Sequence, residues 1–274
     1  MNIGYVEQKE KASSIKEKIN KKKLIINQEE EKLIFKMPTE ISEKRMKKTL
    51  ERLIRKMNEN EIDTVILDEK IKEFEIIKNK IFSNDIHIID GRFLQLYLIP
   101  KIVDRILEQL KRIKEDTEIS FLVNDNNEIN IKNISKLAQR VKNCNIVTNH
   151  MENFKQIEDL LYREYGIMIN ITNNRRKSLM KSNIIINIDF SLETIEKYSI
   201  PNEAIIVNCL NKFSKIKYFR GQIFNNYKIK MPEKYCFRKY KNEYLYESLV
   251  FGKEYNYIEE KINLDKIEVE AFLP

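Results

Sequence analysis

The chain has 274 residues, enough for one large core or two modest ones, and its 42% hydrophobic share excludes wholesale disorder. Charged residues make up 34% and the net charge is +8, but Lys and Glu alternate along most of the chain, the pattern of a solvated, mixed-sign surface. Cys144, Cys209 and Cys236 are too widely spaced for a disulfide framework or a metal-ligand pair, Met1–Tyr5 does not read as a signal peptide, and no apolar run approaches the roughly eighteen residues of a membrane span. The expectation is a cytoplasmic protein, with no membrane partner and no metal site.

In chain order, Asn2–Val6 and Leu24–Asn27 are predicted as short strands on either side of Glu7–Lys23, whose lysines and glutamates suit an exposed helix. Leu33–Met37 is a third apolar run, stopped by Pro38. Thr39 or Ser42 then caps a helix through Asn58, with Ile41, Met46, Leu50, Leu53, Ile54 and Met57 near helical spacing. Thr64–Leu67 is the next strand, ending in Asp68. A helix from Lys70 to Phe82 and a strand at Ile86–Ile89 complete an amino-terminal α/β unit. His87, inside that last apolar run, is expected to be buried.

Asp90-Gly91-Arg92 leads into Phe93–Ile113, which has the periodicity of a long helix interrupted by Pro100, a residue expected to kink or restart it. A domain boundary is placed at Lys114–Thr117. From Glu118 to Leu210, Ile- and Val-rich runs recur with helical segments between them. The runs are Ile119–Val123, Asn145–Thr148, Ile167–Thr172, Asn183–Ile188 and Ala204–Asn208. The intervening helices are expected over Ile134–Val141, up to Tyr165 with Gly166 as its stop, in a short piece closing near Ser182, and over Leu192–Tyr198. Strands so separated lie parallel, joined by right-handed crossovers, and bind ligands at their carboxyl edge. Beyond Leu210, Lys217–Ile223 and Tyr227–Met231 look extended. A helix is expected near Glu243–Phe251, and the tail is marked by Tyr235, Phe237, Tyr240, Tyr244, Tyr246, Phe251, Tyr255 and Tyr257.

This cadence, and above all Lys177-Ser178-Leu179-Met180-Lys181-Ser182 leading into Asn183-Ile184-Ile185-Ile186-Asn187, resembles the Rossmann-type dinucleotide-binding superfamily, in particular dehydrogenases of the shikimate dehydrogenase sort. The resemblance implies NAD or NADP as cofactor. The chain departs from the family where G-x-G-x-x-G should follow the first strand, since it has Asn124-Asp125-Asn126-Asn127-Glu128-Ile129. Asn tolerates positive φ, so the turn can survive, but Asp125 and Glu128 would put negative charge where the family places two phosphates. No residue matches a Lys–Asp dyad of the shikimate dehydrogenase kind, and the catalytic residues stay unassigned.

The candidate ligand-binding residues are those that end the strands: Asn124, Asp125, Asn126, Asn149, His150, Asn173, Arg175, Arg176 and Asp189. Asn149 and His150 fall where the family meets the adenosine ribose; His150 is either a loop residue or a ligand contact. Arg175 and Arg176, at the start of a helix, suit a phosphate or carboxylate but also read as a solvated pair. Asp189 is either a ligand contact or the cap of the helix beginning near Ser191 or Leu192. Asp68, Asp90 and Arg92 form a second set, either facing that row across a cleft or making an interdomain ion pair. Cys144 and Cys209 read as small core residues.

The expected fold is α/β, with a Rossmann-like parallel sheet preceded by a smaller α/β unit and followed by an aromatic-rich capping segment, over residues 1–114, 115–211 and 212–274. The leading functional reading is a nucleotide- or dinucleotide-binding protein. Its competitors are a catalytically silent scaffold working through protein contacts and, less favoured, a nucleic-acid binder using Arg175, Arg176, Lys215, Lys217, Arg220 and nearby tyrosines.

Overall fold

The structure, a computed structural model, describes residues 2–9, 24–29, 32–38, 42–68, 70–71, 73–210, 213, 215–229, 236–237, 240–250 and 268–272. The expected polar helix from residue 10 onward, Thr39, Ile41, Met231, Tyr235, Phe251, Tyr255 and Tyr257 lie outside them. The chain divides into two compact units, residues 1–91 with 234–249 and residues 92–233 with 250–274.

In the first unit, β1 (Asn2–Gln8), β2 (Ile25–Glu29), β3 (Lys32–Met37), β4 (Ile62–Leu67) and β5 (His87–Ile89) form one sheet in the order β2-β3-β1-β4-β5. Only β2 and β3 pair antiparallel. Helices α1 (Glu43–Glu59) and α2 (Phe74–Phe82) supply the apolar stripe that covers it. Leu50, Leu53, Ile54 and Met57 recur at helical spacing and are buried in one cluster with Phe35, Val65, Ile77 and Ile81. His87 is exposed, contrary to expectation, because β5 is an edge strand whose alternate residues face away from the core. Asp68 ends β4 in a local turn, its carboxylate accepting the Lys70 amide at 3.0 Å.

The second unit begins with α3 (Arg92–Gln109), which runs through Pro100 as one helix. That helix belongs here instead of closing the first unit, and two bonds show why. Gln95 Nε2 donates to the carbonyl of Asn208 at 3.2 Å, and Asn133 Nδ2 donates to that of Leu96 at 2.8 Å. The division accordingly falls at Gly91/Arg92 and not at 114–117.

There follow β6 (Glu118–Leu122), α4 (Glu128–Ala138), β7 (Asn143–Val147), α5 (Lys155–Tyr165), β8 (Asn170–Thr172), β9 (Ile184–Asn187), α6 (Leu192–Ile195), β10 (Ile205–Asn208) and β11 (Gln222–Lys228). Helix α7 (Asn242–Val250), which but for Val250 belongs to the first unit, comes next in the chain, then β12 (Glu268–Phe272). The sheet order is β12-β11-β10-β9-β6-β7-β8, parallel throughout except for the last pair, β11 with β12. Counted from β6, the parallel strands lie 3-2-1-4-5-6, the doubly wound Rossmann-like order. The strands are near-continuous apolar runs because helices cover both faces of such a sheet. Ile184, Ile185, Ile186, Ile205, Ile206 and Val207 are all buried.

Three local expectations change. Helix α4 starts at Glu128, not Ile134, because Asn127 caps it by accepting the Asn130 amide at 3.0 Å. Residues 175–181 form turns in place of a short helix. The segment after Leu210 adds β11 and β12 to the sheet, so it extends the second unit instead of only capping it, while 234–249 belongs with the first. Gly166 ends α5 at φ 67°, the left-handed stop expected of it.

Candidate functional site

The strand order reverses between β6 and β9, and in doubly wound sheets the crevice outside the carboxyl ends at that point holds the ligand. Here β6 delivers Asn124 and Asp125, and β9 delivers Asp189. The three meet. The Asp189 carboxylate accepts the Asn124 amide at 3.0 Å on Oδ1 and 2.8 Å on Oδ2. It also accepts the Asp125 amide at 3.0 Å and the Asn124 side-chain amide at 3.2 Å. The same side chain of Asn124 turns its oxygen to β7, accepting from the Asn149 amide at 2.9 Å and the Thr148 hydroxyl at 3.4 Å. Asn124 therefore ties three strand ends together.

The capping role considered for Asp189 falls to Ser191, whose hydroxyl accepts the Thr194 amide at 3.3 Å at the start of α6. That leaves Asp189 free to turn back onto the first loop. Burial pushes the Asp189 carboxyl above its ordinary value; the amide bonds from Asn124 and Asp125 oppose the shift, and the nearby Asp125 charge adds to it.

Asp125 does not project into the place of a phosphate. Its carboxylate folds back to accept the Asn127 amide at 3.2 Å and the Asn127 side chain at 2.8 Å. Asn126 Nδ2 donates to the Asn153 carbonyl at 3.1 Å. The glycine motif's amides would face pyrophosphate, whereas here the amides of Asn124, Asp125 and Asn127 donate to the chain's own carboxylates.

The same holds along the edge. The His150 amide donates to the Thr148 hydroxyl at 3.0 Å, while the imidazole is exposed. After β8, the amides of Arg176 and Lys177 donate to Asn174 Oδ1 at 3.1 and 3.2 Å, and the Asn174 amide donates to the Thr172 hydroxyl at 3.1 Å. Asn173, Arg175 and Arg176 are exposed, and no hydrogen bond described joins them to the Asn124–Asp189 cluster. Arg175 instead bonds the Tyr198 hydroxyl, which burial raises and Arg175 pulls back.

A further set was not anticipated. Asn187, Asn208 and Asn225, on adjacent strands β9, β10 and β11, form a buried amide ladder. Asn187 Nδ2 donates to Asn208 Oδ1 and Asn208 Nδ2 to Asn225 Oδ1, both at 2.8 Å. Asn187 also binds both backbone groups of Phe190, and Asn225 both of Phe213. The available signal was the repeated ending of apolar runs in Asn, as in Ile185-Ile186-Asn187, Ile206-Val207-Asn208 and Ile223-Phe224-Asn225.

Cys144 and Cys209 are buried, and burial pushes both thiols up to about 12, the reverse of what activates a nucleophile. Among the described residues no cluster of His, Cys, Asp and Glu could hold a metal ion, and no helix is long and apolar enough to cross a membrane. Asp90 and Arg92 fall on either side of the division between the two units.

No family model matches the sequence, and no curated protein matches it. Among solved structures, the chain aligns with the A chain of dipicolinate synthase from Bacillus subtilis at 10% identity and a TM-score of 0.33, over 53% of this chain and 48% of that one. It aligns with L-tryptophan dehydrogenase from Nostoc punctiforme at 11% identity and 0.33, over 65% and 50%. A shikimate dehydrogenase in complex with NADP+ gives 13% and 0.28, over 64% and 66%. The chain thus spans about half the length of the first two, at 48% and 50%. The Rossmann-like assignment rests on the strand order of the second sheet.

Proposed function

We propose that the second unit is a Rossmann-like scaffold that works through macromolecular contacts and does not hold a dinucleotide's phosphates at its first loop. One observation carries the exclusion of the phosphates: the Asp189 carboxylate accepts the amides of both Asn124 and Asp125, the donors a pyrophosphate would need. A phosphate brought there would meet one carboxylate at contact distance and a second, Asp125, beside it, in a half-buried setting that strengthens like-charge repulsion. The donor set does not fit NAD or NADP bound in the family's manner.

A second reading keeps a small molecule at this edge, and Asp189 itself favours it. A half-buried carboxylate is an acceptor for a ligand's hydroxyl or ammonium group, so a nucleoside-like ligand without phosphate at this loop is compatible with the geometry.

Thermal unfolding in the presence of millimolar NAD, NADP, ATP and adenosine separates the readings, since a ligand of the native state raises the melting temperature by mass action. The scaffold reading expects no rise with any of the four. A rise with adenosine alone supports the second reading. A rise with NAD or NADP that exceeds the rise with adenosine overturns the first.

A further inference from the structure

Several cations on the second unit's surface stand beside carboxylates, as the alternation of Lys and Glu implies. Lys114 lies 2.8 Å and Arg140 3.5 Å from Asp104, and Lys142 lies 4.0 Å from Glu118. One strip of the same unit gathers cations that have no such partner. Its segments are the turn after β8, the stretch following α6 and the turn ahead of β11. The Ser199 amide donates to the Arg175 carbonyl at 3.1 Å and the Lys217 amide to Glu196 Oε1 at 3.1 Å, while the Arg220 amide donates to Asn202 Oδ1 at 3.2 Å. These bonds bring Arg175, Arg176, Lys177, Lys197, Lys217 and Arg220 into one neighbourhood. All six are exposed, and among the described residues none forms an ion pair. The carboxylates of the same segments are Glu193, Glu196 and Glu203, which leaves an excess of positive charge.

Tyr218 stands in the middle of this strip. It is 86% exposed, the most exposed of the large apolar side chains described, and holds a φ of 65° that non-glycine residues seldom adopt. Lys217 Nζ lies 5.1 Å from the centre of its ring. Behind the turn, Gly221 fixes the path of the chain, because a Cβ there would fall 2.3 Å from the carbonyl oxygen of Ala204. An aromatic ring presented outward on a fixed turn, among cations that have no carboxylate partner, is the pairing of stacking platform and charge that single strands require. A duplex would engage the cations but would leave the ring without a base to stack on.

We infer that this strip, centred on Arg175, Arg176, Lys217 and Tyr218, binds single-stranded nucleic acid. The cations neutralise backbone phosphates and release their counterions, and Tyr218 stacks on a base. None of these side chains takes part in the bonds of the Asn124–Asp189 cluster, and the inference stands whether or not a ligand binds at the sheet edge.

The test is fluorescence anisotropy of the full-length chain with labelled oligothymidylate and oligouridylate, each titrated at low and moderate salt, with heparin as a polyanion control. If about three phosphates are neutralised, affinity falls roughly 20-fold between about 50 and about 200 mM salt. The Arg175→Ala, Arg176→Ala double variant weakens binding and flattens the salt dependence. Tyr218→Ala weakens binding by on the order of tenfold with the salt dependence unchanged, and Tyr218→Phe restores it. All these positions are exposed, and an unchanged melting temperature verifies that each variant folds. Preference for one oligomer over the other identifies DNA or RNA as the source of the strand and supports the inference either way. Absence of binding at low salt overturns it. So does binding that neither variant disturbs, or heparin binding of equal strength with oligonucleotide binding insensitive to Tyr218→Ala, which would mark a general polyanion surface.

Discussion

The Asp189 carboxylate lies 2.8 Å from the amide nitrogen of Asn124 and 3.0 Å from that of Asp125, so the end of β9 closes the loop that leaves β6. A Rossmann-like sheet normally keeps those amides for a phosphate. In this chain an acidic side chain from the neighbouring strand supplies the anion, and Asp125 in turn accepts the Asn127 amide.

Replacing that acceptor should be felt in stability. Asp189→Leu leaves the Asn124 and Asp125 amides without a partner and lowers the unfolding free energy by about 1–3 kcal/mol. Asp189→Asn retains one acceptor oxygen and loses less. Urea unfolding of the three proteins compares them, and equal stability of the Leu variant and the parent would contradict the role given to the carboxylate.

The pH dependence follows from the direction of the Asp189 shift. Its carboxyl is raised in the folded protein, mainly by burial, so the native state holds this proton more tightly than the unfolded chain does. The stability it contributes is fully present below the ordinary carboxylate range and is lost as pH rises through the raised value. Asp189→Asn removes that component. The difference in melting temperature between Asp189→Asn and the parent should grow in the variant's favour as pH climbs from acid toward neutral, and a constant difference would refute the assignment.

The buried amide ladder makes a third expectation. Asn208 is fully buried and bonded on both sides, so Asn208→Leu takes a partner from Asn187 Nδ2 and another from Asn225 Oδ1. The cost is about 2–4 kcal/mol, more than a surface Asn substitution by any mechanism available to it. A loss below about 1 kcal/mol, measured by urea unfolding, would show that the ladder is dispensable.

Two glycines should respond to alanine for different reasons. Gly166 has φ 67° with no atom within 4 Å of an added Cβ, so Gly166→Ala meets only the left-handed penalty of about 1 kcal/mol. At Gly221 the added Cβ would strike the Ala204 carbonyl at 2.3 Å, and the backbone must move. Gly221→Ala should lower the melting temperature more than Gly166→Ala, and the reverse order would contradict the packing described at the β11 entrance.

The fold was legible where chemistry is local. Buried parallel strands advertise themselves as Ile-rich runs, and the turns between them carry Asn and Gly, so β6 through β10 and the stop at Gly166 follow from the residues alone. The start of α4 was missed because Asn127, within an Asn-rich run, gave no local mark of being the cap. The cluster at the sheet edge was legible only in part. Asn124, Asp125 and Asp189 were each identifiable as strand-end polar residues, but the bond between Asn124 and Asp189 spans 65 positions. Nothing nearby in the chain distinguishes a carboxylate that caps the next helix from one that turns back to another loop. His87 was misjudged for a related reason: an apolar run does not disclose that its strand lies at a sheet edge. The Asn187–Asn208–Asn225 ladder requires strand register, which emerges only when β9, β10 and β11 are aligned.

The most direct measurement is of the two amides themselves. In 15N–1H correlation spectra of the labelled protein, the Asn124 and Asp125 resonances should follow the protonation of Asp189 as pH is varied and remain in place as NADP is added to millimolar concentration. A saturable displacement of those two resonances by NADP, without displacement by adenosine, would mean that phosphate takes the place of the Asp189 carboxylate and would contradict the closed loop.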